Sequence, residues 1–91
     1  MNKIYLIVLS TDYDRDNVVK FLDEHSDKVS FWFISLPYSI FAKSTLSAEE
    51  LYTLITAKFG ENLIFITELK GNFKGRLPKD NWPHIKTPNA E

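Results

Sequence analysis

The sequence predicts an α+β domain with the ferredoxin-like βαββαβ order: strand, helix, strand, strand, helix, strand. Three observations predict it: an unbroken apolar run at Ile4–Leu9, a helix-start signal at Ser47–Glu50, and runs of aromatic and β-branched residues on both sides of that helix. An unbroken apolar run is typical of a strand that is covered on both faces. With right-handed crossovers, this order gives a four-stranded antiparallel sheet, with two helices on one face and the first and third strands in the middle.

The first half of the pattern runs from the apolar strand to a hairpin. Apolar residues at helical spacing predict a helix over residues 14–24, preceded by aspartates that suit its N-cap. Residues 29–36 are rich in aromatic and β-branched side chains and predict a second strand. Pro37 interrupts that strand, and residues 38–43 predict a short third strand that pairs with it.

The second half begins with a capping box, Ser47-x-x-Glu50, in which each side chain satisfies the backbone N–H of the other residue. An apolar helical face follows, and Gly60 predicts the end of this helix in the left-handed conformation. Residues 62–69 predict the fourth strand. We therefore expect a ferredoxin-like domain over residues 1–70.

Residues 71–91 form a basic tail that does not continue the strand and helix pattern. Its apolar residues predict that it packs on the domain or on a dimer partner; they are Phe73, Leu77, Trp82 and Ile85. The chain has a net charge of −1, but residues 70–91 carry five bases and two acids, whereas residues 11–28 carry six acids and three bases. The overall charge therefore attracts neither nucleic acid nor membrane, and only the tail has a local basic character.

The composition also excludes some classes of protein. There is no cysteine, which excludes disulfides, thiol catalysis and thiolate metal sites and fits a cytoplasmic location. No apolar stretch reaches 18 residues, so we expect no membrane contact. We expect no small-molecule cofactor either.

Both faces of the predicted sheet are apolar, and two helices cover only one of them. A bare face of six to eight large apolar side chains exceeds what monomers usually expose. We therefore expect a homodimer with its sheets packed face to face, and we assign the interface to one side of the first two strands: Tyr5, Ile7, Leu9, Trp32 and Ile34.

The basic residues of the tail alternate with rings, a pattern typical of surfaces that bind nucleic-acid backbones and stack bases. The residues that we assign to binding nucleic acid or a partner are Lys70, Lys74, Arg76, Lys79 and Trp82, and Lys86, Phe73 and His84 belong to the same stripe. The alternative is a solvated basic tail that Trp82 anchors to the domain.

Three aspartates, Asp12, Asp14 and Asp16, follow the first strand. Their spacing imitates the opening of a calcium loop, but that loop needs Gly and Glu where this chain has Asn17 and Asp23. Helix capping is the interpretation that the residues favour. Binding of Mg²⁺ by Asp12 or Asp14 is the alternative.

Several motifs resemble the small bacterial proteins labelled SinR family, which look like relatives of the CRISPR-associated adaptation proteins. They are Ile4-Tyr5-Leu6-Ile7, Trp32, Leu36-Pro37-Tyr38-Ser39-Ile40-Phe41, Leu46-Ser47-Ala48-Glu49-Glu50-Leu51, and Gly71-Asn72-Phe73-Lys74-Gly75-Arg76-Leu77-Pro78-Lys79-x-x-Trp82. The resemblance implies a ferredoxin-like homodimer. In the family the first strand typically ends in Tyr-Asp, where this chain has Leu9-Ser10, and serine is a poorer Mg²⁺ ligand than carboxylate.

The function that we expect is a non-catalytic homodimeric ferredoxin-like protein that binds nucleic acid or a protein partner through its basic C-terminal segment. The alternative is a metal-dependent nuclease related to CRISPR adaptation proteins, and only this alternative requires Mg²⁺.

Overall fold

The computed structural model describes residues 1–87 as four strands and three helices. The strands are β1 (Lys3–Leu9), β2 (Val29–Phe33), β3 (Ser39–Ser44) and β4 (Ile64–Glu68), and the helices are α1 (Arg15–Glu24), α2 (Ala48–Phe59) and α3 (Trp82–Lys86). A single 3-10 turn, Lys79–Asn81, leads directly into α3. The predicted α+β class is confirmed. The third helix was not predicted, and the last four residues of the predicted tail, 88–91, lie outside the described residues.

The four strands form one antiparallel sheet in the order β2-β3-β1-β4. The first and third strands are therefore central, as the sequence predicts. In the register of the sheet, Leu6 lies opposite Phe41 on one side and Thr67 on the other, and Phe33 lies beyond Phe41. β2 ends at Phe33, three residues before its predicted end, and the chain then turns at Pro37 and Tyr38; φ of Tyr38 is +57°.

The predicted helix starts are confirmed, and one predicted helix end is wrong in detail. Asp14 caps α1, and Ser47 and Glu50 form the reciprocal capping box of α2. Gly60 ends α2 with φ +90° but ψ 167°, so its backbone is not in the left-handed helical region. Only glycine adopts this combination readily, which explains the residue at this position.

One face of the sheet packs against α1 and α2 and forms the main core. Central-strand side chains such as Tyr5, Ile7 and Ile40 lie fully buried beneath Leu22 of α1 and Ile55 of α2. The Tyr5 hydroxyl donates to the carbonyl oxygen of Leu46 at 2.6 Å, so its polar atom is satisfied inside this core.

The opposite face is covered by the C-terminal segment, which we define as residues 69–87. Ile85 of α3 is buried with Ile4 and Phe41, and a ring of half-buried apolar side chains surrounds them: Leu6, Phe33, Leu69, Phe73, Leu77 and Trp82. The predicted tail therefore packs on the domain. None of the helices within residues 1–87 has the length and hydropathy needed to cross a membrane.

Candidate functional site

The C-terminal segment is held to the sheet at several points along its length. The backbone N–H of Leu69 donates to Ile4 at 2.9 Å, which extends the β1–β4 pairing by one residue. Gly71 follows with φ +89°, a conformation that suits glycine and lets the chain leave the sheet edge. At the far end, the Asn81 amide donates to the Ser35 hydroxyl in the β2–β3 connection. The segment thus crosses the open face from the β4 edge toward β2.

This crossing brings together side chains that are far apart in the sequence. Phe73 and Trp82 lie with nearly parallel rings, 6.4 Å between centroids and 13° between planes. The Lys86 ammonium lies over the Trp82 ring, 5.6 Å from its centroid. This is the geometry of a cation–π contact, which holds a positive charge beside an aromatic face.

Lys74 and Lys79 complete an open groove with these three side chains, which we call the basic groove (Phe73, Lys74, Lys79, Trp82 and Lys86). Gly75, Pro83 and Thr87 are its remaining lining residues, so no acidic side chain within residues 1–87 lines it. The ammonium groups suit phosphate oxygens, and the half-buried rings suit a base or another flat group.

The five residues assigned from sequence to binding do not all meet. Lys74, Lys79 and Trp82 line the basic groove together. Lys70 does not line this groove and lies 3.7 Å from the Glu68 carboxylate, whereas Arg76 lines an adjoining apolar cleft beneath the segment. The sequence placed Lys86 in the basic stripe without assigning it to the site, and its position over Trp82 makes it a central member.

His84 was also placed in the stripe, but it faces the sheet. Its ring stacks on Phe31 at 4.5 Å between centroids and lies 5.9 Å from Phe33. The Lys43 ammonium lies 5.5 Å from the centroid of Phe31, and burial lowers the pKa of this lysine. These contacts give His84 a packing role between α3 and β2.

The interface residues predicted for the dimer lie on the wrong face of the sheet. Tyr5, Ile7 and Leu9 are buried in the main core, and Trp32 and Ile34 pack against it, so α1 and α2 already cover this set. The Trp32 indole N–H donates to Asp23 of α1 at 2.6 Å. The face available to a partner is therefore the opposite one, which the C-terminal segment partly covers.

The two candidate metal ligands have other contacts. Asp14 accepts the backbone N–H groups of Asp16 and Asn17 at 3.0 and 3.4 Å, which is the helix-capping role that the sequence favours. Asp12 accepts a hydrogen bond from the Ser10 hydroxyl at 3.4 Å. Within residues 1–87, no three histidine or acidic side chains come together in a way that would hold a metal ion.

Comparison of the chain with family models, curated proteins and solved structures finds no match. The resemblance to the SinR-family proteins therefore rests on the sequence motifs alone and stays a prediction.

Proposed function

We propose that this protein is a ferredoxin-like module that binds single-stranded nucleic acid in the basic groove. The observation that supports the proposal most directly is the Lys86 ammonium over the ring of Trp82, with Lys74 and Lys79 lining the same groove. A ring and cations in one groove can contact a base and its flanking phosphates at the same time. Both contacts tolerate any sequence, because every base has a flat face and every nucleotide has a phosphate.

The chain's net charge of −1 makes the position of these lysines important. A protein without an overall positive field depends on local phosphate contacts for its affinity, and each contact releases counterions from the nucleic acid. With three lysines in the groove, we expect weak binding that falls steeply as the salt concentration rises.

The ferredoxin-like arrangement belongs to the same proposal. Counted from the β4 edge, the sheet order is β4-β1-β3-β2, and each pair of neighbours is antiparallel. This order, with α1 and α2 packed on one face, supports a split βαβ topology. The third helix, α3, adds a cover to the second face.

The proposal is tested by fluorescence anisotropy with labelled single strands of about twelve nucleotides, both DNA and RNA, and with a duplex as comparison. We expect single strands to bind more tightly than the duplex. Trp82→Leu weakens binding about tenfold, because the stack on one base is worth about 1–3 kcal/mol. Lys79→Gln and Lys86→Gln each weaken it and reduce its salt dependence.

The matched controls are Lys20→Gln and Lys58→Gln, which remove exposed lysines from α1 and α2 on the other side of the sheet. Circular dichroism of every variant checks that the fold is retained. Equal losses in the control and groove variants would attribute binding to general charge and overturn the proposal. So would the absence of binding at millimolar protein in low salt.

We also propose that two copies associate through the part of the second face that the C-terminal segment leaves bare. Val8 and Phe65 lie side by side in the sheet and are exposed, and Leu63, two residues before Phe65, is 79 % exposed. Together they form an apolar patch of roughly a few hundred Å², which is less than the ~800 Å² per partner of a standard interface. We therefore expect a weak homodimer whose population depends on concentration.

Sedimentation velocity from micromolar to millimolar protein tests this association. Phe65→Lys shifts the protein to the monomer, whereas Tyr52→Lys, on the outer side of α2, leaves the dimerisation constant unchanged. A protein that remains monomeric at millimolar concentration, or that dimerises equally well with Phe65→Lys, would contradict the assignment.

A further inference from the structure

A second concave site lies beneath the C-terminal segment and shares Phe73, Lys74, Gly75 and Trp82 with the basic groove. We call it the apolar cleft. This cleft is partly open to solvent, and its volume between the segment and the open face of the sheet is about 300 Å³. That volume is at the lower end of the range in which small-molecule sites occur.

The inner surface of the cleft is apolar. Phe41 and Ile85 are buried in its floor, and Leu6 and Leu77 are half-buried beside them. Eight of its eleven lining residues carry apolar side chains, and a ninth is Gly75. A sugar or a nucleobase would lose its hydrogen bonds to water here without gaining replacements, which is unfavourable by several kcal/mol.

The two remaining lining residues are cationic. Lys74 and Arg76 are both exposed, so their charged groups lie at the mouth of the cleft in contact with water. Within residues 1–87, no carboxylate lines the cleft to neutralise them. The charge pattern therefore complements a ligand that has an apolar body and one anionic head.

The volume limits the size of that body. An apolar cavity of about 150 Å³ holds one benzene molecule, with six non-hydrogen atoms, so twice that volume holds about twelve. We propose that the apolar cleft binds a medium-chain carboxylate, with its hydrocarbon chain over Phe41 and Ile85 and its carboxylate between Lys74 and Arg76. Decanoate, with twelve non-hydrogen atoms, has the matching size, and an acyl chain with an anionic head occurs both in a free fatty acid and at an anionic lipid surface.

The experiment is a titration of the ¹⁵N-labelled protein with decanoate, followed by NMR. We expect saturable shifts, with one site per chain, at the amides of Gly75 and Leu77 and at the indole N–H of Trp82. Decanol, which has the same chain without the charge, binds several-fold more weakly. Arg76→Gln weakens the affinity for decanoate about two- to fivefold, as expected for the loss of one exposed charge pair.

Lys79→Gln is the matched control, because Lys79 lines the basic groove and not the apolar cleft. Lys79→Gln leaves decanoate binding unchanged and weakens nucleic-acid binding, whereas Arg76→Gln weakens decanoate binding and leaves nucleic-acid binding unchanged. The two sites are therefore tested separately, and the failure of one proposal leaves the other standing.

A parallel titration with vesicles of anionic phospholipid distinguishes the two sources of an acyl chain with an anionic head. Saturable decanoate binding without vesicle binding supports a free carboxylate as the ligand, and binding of both supports recognition of an acyl chain at a lipid surface. No shift at millimolar decanoate, equal affinity for decanol, or equal effects of Arg76→Gln and Lys79→Gln would each overturn the proposal.

Discussion

Ile85 is the side chain that most strongly anchors the C-terminal segment to the domain. It is 3 % exposed and is buried with Ile4 and Phe41, both of which belong to the central strands. Ile85→Ala removes three carbon atoms and leaves a cavity in a region that has few other fully buried side chains. Such changes destabilise proteins by about 2–5 kcal/mol, and we expect about 3 kcal/mol here because the open edge of the cleft allows partial collapse.

A loss of this size is large for a chain of 91 residues, whose total stability is expected to be about 5–13 kcal/mol. With a urea m-value of roughly 1.5 kcal/mol per molar, the unfolding midpoint falls by about 2 M. Ile85→Val, which removes one carbon atom, lowers the stability by only about 0.5–1.5 kcal/mol and is the graded control.

Two tryptophans allow the two faces of the sheet to be followed separately in this experiment. Trp32 packs against the main core and donates to Asp23, whereas Trp82 belongs to the C-terminal segment. Trp82→Phe leaves only the fluorescence of Trp32, which reports on the main core. Trp32→Phe leaves only the fluorescence of Trp82, which reports on the C-terminal segment. If the segment and the domain unfold as one unit, both backgrounds have the same midpoint, and Ile85→Ala shifts both by the same amount.

A different result would refute this reasoning. If Ile85→Ala moved the Trp82 transition to lower urea and left the Trp32 transition in place, the segment would be a separately unfolding appendage. If it moved neither, Ile85 would not be anchoring the segment.

Three further predictions concern single residues. Gly60→Ala destabilises the protein by about 1–3 kcal/mol, because the backbone at φ +90° and ψ 167° is strained for any residue other than glycine. Steric overlap is not the cause, since a Cβ at Gly60 would meet nothing within 4 Å. Gly75→Ala is the control and changes thermal stability little. The backbone N–H of Ser47, the N-cap residue, holds the pKa of Glu50 below its ordinary value. The contribution of this carboxylate to the free energy of unfolding is therefore present above about pH 4.3 and is lost as the pH falls. Glu50→Gln reduces the acid sensitivity of the urea midpoint. Burial raises the pKa of Tyr5, so the contribution of its neutral phenol to the free energy of unfolding is complete below about pH 10 and is lost as the pH rises further. Tyr5→Phe lowers the stability at neutral pH and reduces the loss of stability at alkaline pH. Circular dichroism measures both effects.

Local signals in the sequence were sufficient for the four strands, for α1 and α2 and for the caps of these two helices, but not for α3. Asp14, Ser47 and Glu50 satisfy backbone groups within three residues of themselves, so their roles depend on no distant part of the chain. The length of β2 was overestimated because Ile34 continues the apolar alternation after the sheet pairing has ended at Phe33.

The choice of sheet face could not be predicted, and the reason is the composition of β1. Its two alternating sets, Ile4-Leu6-Val8 and Tyr5-Ile7-Leu9, are both apolar. The period of two that normally tells the inner face from the outer one therefore carries no information here. The choice depends on where the helix crossovers place α1 and α2, which is a property of the whole fold.

The basic groove illustrates the same limit. Phe73 and Trp82 are nine residues apart, with no regular structure between them before the turn at Lys79–Asn81. Composition predicted that this stretch is basic and aromatic, but only the path of the chain decides which lysines face the rings. The path of the chain places Lys70 at the β4 edge beside Glu68, whereas it places Lys86 over the ring of Trp82.

The second face of the sheet also changes the argument for a partner subunit. Apolar residues on both faces predicted an extensive dimer, because the two helices cover only one of these faces. The segment instead covers the rows that contain Ile4 and Phe41, and it leaves the row of Val8 and Phe65 exposed. The same apolar side chains can be covered within one chain or between two, so each row that the segment covers weakens the dimer. Because we expect the segment and the domain to unfold as one unit, Ile85→Ala leaves these rows covered in the folded protein, so it should lower the urea midpoint without changing the dimerisation constant that sedimentation velocity measures in the absence of urea.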